Sequence, residues 1–290
     1  MTSTPRSPAP PHGSAAQLRE HRAPTATTDA TRRTAAVTAP RGFVPLALLH
    51  AKYNILETIR IPIAVIGNLV FPTLAMFFFV VPQSEVTADP MWSLISVAGL
   101  AMFSVMSTFL FTFGVGVAED RALPFDPYLR TMPAGAGPRL VGRILTAWLF
   151  ALLALVPLGL VAAIFTAAAP TPAQLVLGVV TLLAVGVPFL MLGLFIGYSL
   201  SSKAAIAVVQ VVLFPLAFAG GLLMPAELFP DWLDTLSTFL PSRAGRDLVI
   251  SAFTGIEVYA YAVPVLVGWG ALFTALAVRA YRRDEGRRFR

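Results

Sequence analysis

Residues 144–202 read ILTAWLFALLALVPLGLVAAIFTAAAPTPAQLVLGVVTLLAVGVPFLMLGLFIGYSLSS, with no Asp, Glu, Lys or Arg anywhere in the run. An ionisable group at the centre of a membrane helix costs about 2.5–3.5 kcal/mol on insertion scales, so a charge-free run of this length belongs in a bilayer. About 20 apolar residues, each rising about 1.5 Å, cross a hydrocarbon core of about 30 Å, and the run holds two such lengths. Its break falls at Ala169-Pro170-Thr171-Pro172, where two prolines start a turn rather than continue a helix.

Working outward, four more charge-free intervals, residues 61–84, 90–118, 204–226 and 258–278, each fit one helix. The expectation is an all-α polytopic membrane protein with six spans, at about 61–81, 92–117, 144–168, 175–200, 204–223 and 258–278. Composition agrees. The chain has 290 residues, 57% of them hydrophobic and 12% charged, with a mean hydropathy of +0.76. A soluble protein carries about 25% charged residues to coat its surface. The absence of cysteine excludes a disulfide framework, a cysteine-zinc site and a thiol nucleophile.

Six spans put both termini on one side. Of the 21 Lys and Arg residues, 19 fall on that side, leaving Arg243 and Arg246 for the other. The other side holds Glu85, Asp89, Glu227, Asp231, Asp234, Asp247 and Glu257. By the positive-inside rule both termini are cytoplasmic. The pI near 10.2 is then topology rather than a nucleic-acid footprint, and no nucleic-acid partner is expected. The preponderance of Arg over Lys, with abundant Ala, is the bias of a high-GC bacterial genome, so the location expected is a bacterial cell membrane. Residues 1–42 are rich in Pro, Ala, Thr, Ser and Arg and read as a disordered cytoplasmic extension ahead of a six-span domain over 43–290. They contain no apolar run of the secretory-signal kind.

Catalysis within the membrane is disfavoured. The three histidines, His12, His21 and His50, all precede the first span, and no span carries a His, Asp, Glu or Lys to serve as base or metal ligand. The same lack argues against proton-coupled transport and against an ion channel. No Gly-rich run followed by Lys-Ser or Lys-Thr exists, so any ATP-driven step needs a separate chain to bind the nucleotide.

Polar groups inside the spans are Asn68, Gln210 and a hydroxyl series in the second span. Ser104, Ser107, Thr108 and Thr112 recur at three- and four-residue spacing and share one helix face. That face either lines a pathway or makes interhelical hydrogen bonds worth about 0.6 kcal/mol each. Gly193 and Gly197 form a small-xxx-small pair, a pattern of close helix packing.

Two loops hold more specific information. The one after the second span carries Glu119-Asp120-Arg121, then Phe125, Tyr128, Leu129, Arg130, Met132 and Pro133, and returns through Arg139 and Arg143; it is either a solvated connector or, by its length and interleaved aromatic and aliphatic residues, a docking surface for a partner. The segment between the last two spans carries Gly220-Gly221-Leu-Leu-Met-Pro225 and Phe229-Pro230-Asp231-Trp232-Leu233. Phe229, Trp232, Leu233, Leu236 and Leu240 lie on one helical stripe, with Asp231, Asp234 and Thr238 opposite, which predicts an amphipathic helix at the outer membrane interface. Before the first span, residues 43–60 predict an interfacial helix whose stripe of Leu46, Leu49, Tyr53 and Leu56 is blurred by Leu48, Ile55 and Ile59.

Over residues 43–280 this arrangement resembles the ABC type 2 transporter permeases, which export drugs, polysaccharides and lipid-linked compounds. The resemblance rests on the juxtamembrane helix, on Glu119 to Arg121 and Leu129 to Pro133, and most specifically on Gly221 to Pro225 with Phe229 to Leu233, where Phe229 replaces the usual Leu. It implies a permease dimer, of two copies or a copy and a paralogue, driven by cytoplasmic ATP-binding subunits that hold the ATP and Mg. It also implies coupling contacts at Glu119, Asp120, Arg121, Leu129 and Arg130. The outer gate implied, formed by short outer helices between the fifth and sixth spans, comprises Gly220, Gly221, Pro225, Phe229, Pro230 and Trp232. Uncharged spans with hydroxyls and several Phe suit an amphipathic small molecule, a drug, antibiotic or lipid. Asn68, Ser104, Ser107, Thr108, Thr112 and Gln210 are the pathway candidates. A membrane anchor or assembly protein without transport activity is the competing reading, and membrane lipids are partners in either case.

Overall fold

Charge marks where hydrocarbon ends, but a helix of Arg, Leu and Ala has no reason to stop there, because these are strong helix formers in water as well. The computed structural model, which describes residues 42–60, 70–123 and 137–287, shows helices running past the expected span ends. The elements are α1 (Phe43–Ile59), α2 (Val70–Val80), α3 (Ser84–Ala88), α4 (Pro90–Ala122), α5 (Gly137–Phe165), α6 (Pro172–Ser199) and α7 (Ser202–Ala219). A 3-10 turn (Ala226–Leu228), α8 (Asp231–Ser237), α9 (Pro241–Thr254) and α10 (Ala262–Arg287) complete the chain. Helix α5 begins at Gly137 rather than near 144, which takes Arg139 and Arg143 into its first turns, and α10 continues to Arg287 rather than 278.

Helices α4, α5, α6, α7 and α10 are each long and apolar enough to cross a membrane, and α2 is a shorter apolar helix. The start of the first expected span, with Asn68, lies outside the described residues. So do the N-terminal extension up to residue 41 and the part of the docking loop that holds Leu129, Arg130, Met132 and Pro133.

Local chemistry explains the boundaries. The Asp89 carboxylate accepts hydrogen bonds from the backbone N–H groups of Met91 and Trp92 at 2.8 and 2.9 Å, and Pro90 occupies the first helical position, where its missing N–H does no harm. The expected break before α6 is a capping box: Thr171 accepts from Gln174 N, and the Gln174 side chain accepts from Thr171 N.

Helix α4 is the centre of the bundle, with 78% of its most apolar window buried against 44% for α6 and 22–28% for the others. Its middle widens into a π-helical turn (Leu110–Val115) that faces α6. There Gly193 lets the backbones meet: a methyl in place of its hydrogen would sit 2.9 Å from Phe113 Cβ and 3.0 Å from the Phe109 carbonyl oxygen. The close packing expected of the Gly193 and Gly197 pair is therefore directed at this turn of α4.

Two expectations change. Helix α1 packs on α5 through small residues, Ala47 and Ala51, while Tyr53 and Leu56 of the expected stripe are exposed. Small side chains win this contact because they let α1 approach Gly142 of α5 backbone to backbone. The amphipathic helix expected over 229–240 is shorter, confined to α8, with Phe229 before it and Leu240 capping the next helix. Pro230 and Pro241 set these limits, each standing where a helix starts rather than continues. Part of the polar back of α8 is held against the protein: Ser237 is fully buried and the half-exposed Asp234 faces Arg243, while Asp231 stays exposed, as do Trp232, Leu236 and Phe239. Helix α9, a second short helix between the last two long ones, packs against α4, α6 and α10.

Candidate functional site

Polar wiring gathers at the two ends of the bundle. At one end, where α1 lies, the last turn of α4 holds Glu119, Asp120 and Arg121. Successive residues on a helix point about 100° apart, so the three diverge. Glu119 is exposed. Asp120 faces the start of α5, pairing with Arg139 at 3.3 Å and more closely with Arg143. Arg121 faces α6 and α10. Its Nη1 donates to the carbonyls of Gly197 and Leu200 at 2.6 and 3.1 Å, and its Nε and Nη2 donate to Asp284 Oδ1 at 3.1 and 2.5 Å. A cation at the C-terminal carbonyls of α6 is also favoured by the helix dipole. Ser202, opening α7, donates to the Ala118 carbonyl at 3.1 Å, so α7 joins the same end. On α1, burial and then the Arg139 charge hold His50 below the usual imidazole pKa.

At the opposite end, Gly220 and Gly221 close α7 onto α9. Gly221 has φ +74, a left-handed conformation that a side chain would strain, and a methyl on it would meet Ala226 Cβ at 3.0 Å. Arg246 of α9 is 2% exposed and bonds Asp247 at 2.9 Å and Glu227 at 3.4 Å. One turn earlier, Arg243 bonds Asp247 at 2.6 Å and Asp234 at 3.1 Å. Burial works against the Arg243 charge, but Asp247 and then Asp234 outweigh it and raise its pKa. The turn after α8 is tied down by Tyr259, whose hydroxyl donates to the Thr238 carbonyl at 3.1 Å, and by Trp269, whose Nε1 donates to the Phe239 carbonyl at 2.8 Å.

The sequence-derived residues fall into distinct places. Gly220, Gly221 and Pro225 adjoin the Arg246 cluster, while Phe229, Pro230 and Trp232 lead into α8, where Trp232 is 68% exposed. Ser104 and Thr108 are fully buried and Ser107 nearly so, which turns this hydroxyl face into the chain's own core; the Ser104 hydroxyl has no hydrogen-bond partner among the described residues. Thr112 is half-buried, and Gln210 is exposed in the middle of α7. The contributions of Asp284, Arg243, Arg246 and Asp247 escape a reading of the sequence. Arg243 and Asp247 at i and i+4 give a local signal. Asp284 gives none, since its partner lies 163 residues away.

Residues 47–254 match the family model described as ABC-2 type transporter. The chain belongs to the ABC-2 type transporter family. It is a multi-pass membrane protein and a permease component of an ABC transporter, a family whose members work with an ATP-binding subunit. A protein of Bacillus subtilis (strain 168) named "Putative transport permease YvfS" is 26% identical to it over 179 residues, covering 61% of this chain and 73% of the relative. The matched segment of this ABC-2 permease takes in Ala47 of α1, the last turn of α4 and all of α9.

Proposed function

We propose that this ABC-2 permease exports an amphipathic small molecule, a drug, antibiotic or lipid, as one of two permease subunits, with a separate ATP-hydrolysing subunit docked at the α1 end. The observation that carries the proposal is the last turn of α4: the most buried helix of the bundle ends in Glu119, Asp120 and Arg121, two of which reach α5, α6 and α10. A force applied to the loop that follows is thereby delivered to most of the bundle at once. Basic residues concentrated at the same end support a cytoplasmic placement of both termini.

The hydroxyls of Ser104, Ser107 and Thr108 are buried inside the chain, so a pathway between two permeases would draw its polar lining from Gln210 and Thr112 instead. An exposed amide midway along an apolar helix is costly in lipid and is relieved by a neighbouring subunit or by a polar cargo. The opposite end, with Gly220, Gly221, Pro225, Phe229, Pro230 and Trp232, serves as the exit.

The test is purification in mild detergent after co-expression with a candidate ATP-binding subunit, with Glu119→Ala as the diagnostic variant. Glu119 is exposed, whereas Arg121→Ala would also unpick the contacts to α6 and α10. The proposal expects an ATP-hydrolysing complex whose permease-dependent hydrolysis drops in Glu119→Ala at unchanged permease yield. A permease that recruits no ATP-binding chain would favour a membrane anchor.

A further inference from the structure

Asp284 lies near the end of α10, outside the segment matched to the family, and is only 5% exposed although it sits among charged neighbours. Its Oδ1 accepts hydrogen bonds from both Nε and Nη2 of Arg121, while the Nη1 of the same guanidinium donates to the last carbonyls of α6. A planar fork held on three helices fixes their relative rotation, which a single ammonium point charge does not. One residue earlier, Asp120 reaches in another direction, to Arg139 and Arg143 on α5, the helix that carries α1. Two adjacent residues thus sort the bundle into two groups, α6 with α10 through Arg121 and α5 with α1 through Asp120.

We infer that Asp284 is a positioning residue for coupling: it holds the Arg121 guanidinium so that movement at the end of α4 is passed to α6 and α10 as one body. The inference rests on the reading that an ATP-hydrolysing subunit acts at the α1 end. Arg121 is 17% exposed, so removing the carboxylate leaves a mostly buried cation without this counter-charge and loosens the end of α4 from α10, which stays packed on α6.

The test uses the assembled complex in vesicles of phosphatidylethanolamine and phosphatidylglycerol. Because the chain contains no cysteine, Leu228→Cys introduces a single thiol at the far end of the bundle, where Leu228 is 69% exposed. Its rate of labelling by a maleimide dye, with and without ATP, reports whether a change at the α1 end arrives there. In Asp284→Asn the ATP-binding subunit should still co-purify, while the ATP-dependent change in labelling falls at least about fivefold, the lower end of typical coupling between sites. Arg121→Gln should match it, the double variant should lose no more than either single one, and Asp284→Glu should recover part of the response. An unchanged response in Asp284→Asn overturns the inference. Should Asp284→Asn fail to assemble, Arg121→Lys keeps the charge without the fork, and a full response in that variant overturns the inference equally. A wild-type chain that binds no ATP-hydrolysing subunit overturns the functional reading and the inference together, whereas a responsive wild type with an equally responsive Asp284→Asn overturns the inference alone.

Discussion

Gly142→Ala should release α1 from α5. The added methyl would stand 2.6 Å from His50 Cβ, 2.8 Å from the Ala47 carbonyl oxygen and 2.9 Å from the Ala51 amide nitrogen. All three atoms belong to, or are bonded directly to, the α1 backbone, so no side chain can swing aside. Relief requires α1 to retreat by about 0.5–1 Å, enough to forfeit a quarter to a half of the dispersion energy along the contact. Overpacking of this kind costs about 1–3 kcal/mol. Alanine is the better helix former by about 1 kcal/mol, but that gain lies in α5, which stays helical whether or not α1 is attached, and it cancels for the opening of α1. The opening equilibrium should therefore rise about 5- to 150-fold. Hydrogen exchange read peptide by peptide in detergent would show this as faster exchange across α1 with α4 unchanged. Gly159→Ala is the control on the same helix, because nothing lies within 4 Å of its new methyl, and it should be neutral or slightly stabilising. Unchanged exchange in α1, or equal acceleration in Gly159→Ala, would refute the reasoning.

In the cluster at the far end, Asp247→Asn should be the most damaging change, at about 3 kcal/mol, since both Arg243 and the buried Arg246 lean on that carboxylate. Asp234→Asn, where Asp234 is 49% exposed, should cost less than about 1 kcal/mol, and thermal unfolding in detergent would rank the two. Burial, and next the Asp247 charge, push the Tyr259 hydroxyl up to about 12. The unfolded chain gives up that proton at about pH 10 while the folded one keeps it, so the contribution of Tyr259 is present in full below pH 10 and lost as the pH rises towards 12. Tyr259→Phe should flatten the fall in thermal stability over that window, at the expense of the hydrogen bond to Thr238 at lower pH.

The sequence by itself was enough to place the long apolar helices, the break at Ala169 to Pro172 and the class of protein, because a bilayer acts on each segment separately and its demand for apolar residues is local. The start of α4 at Asp89 and the capping of α6 by Thr171 and Gln174 are equally local, each decided within four residues. Periodicity told which residues share a face but not what that face meets. The hydroxyls of Ser104 and Thr108 turned into the chain's own core, and Asp234 on the polar back of α8 met Arg243. The grip of Arg121 on Asp284, the fit of Gly142 against α1 and the insertion of α9 between α4, α6 and α10 belong to the tertiary structure alone. Each depends on the identity and distance of a neighbour brought from elsewhere in the chain, and both ion pairs and backbone contacts fall away within a few ångströms, so only the packed bundle could decide them.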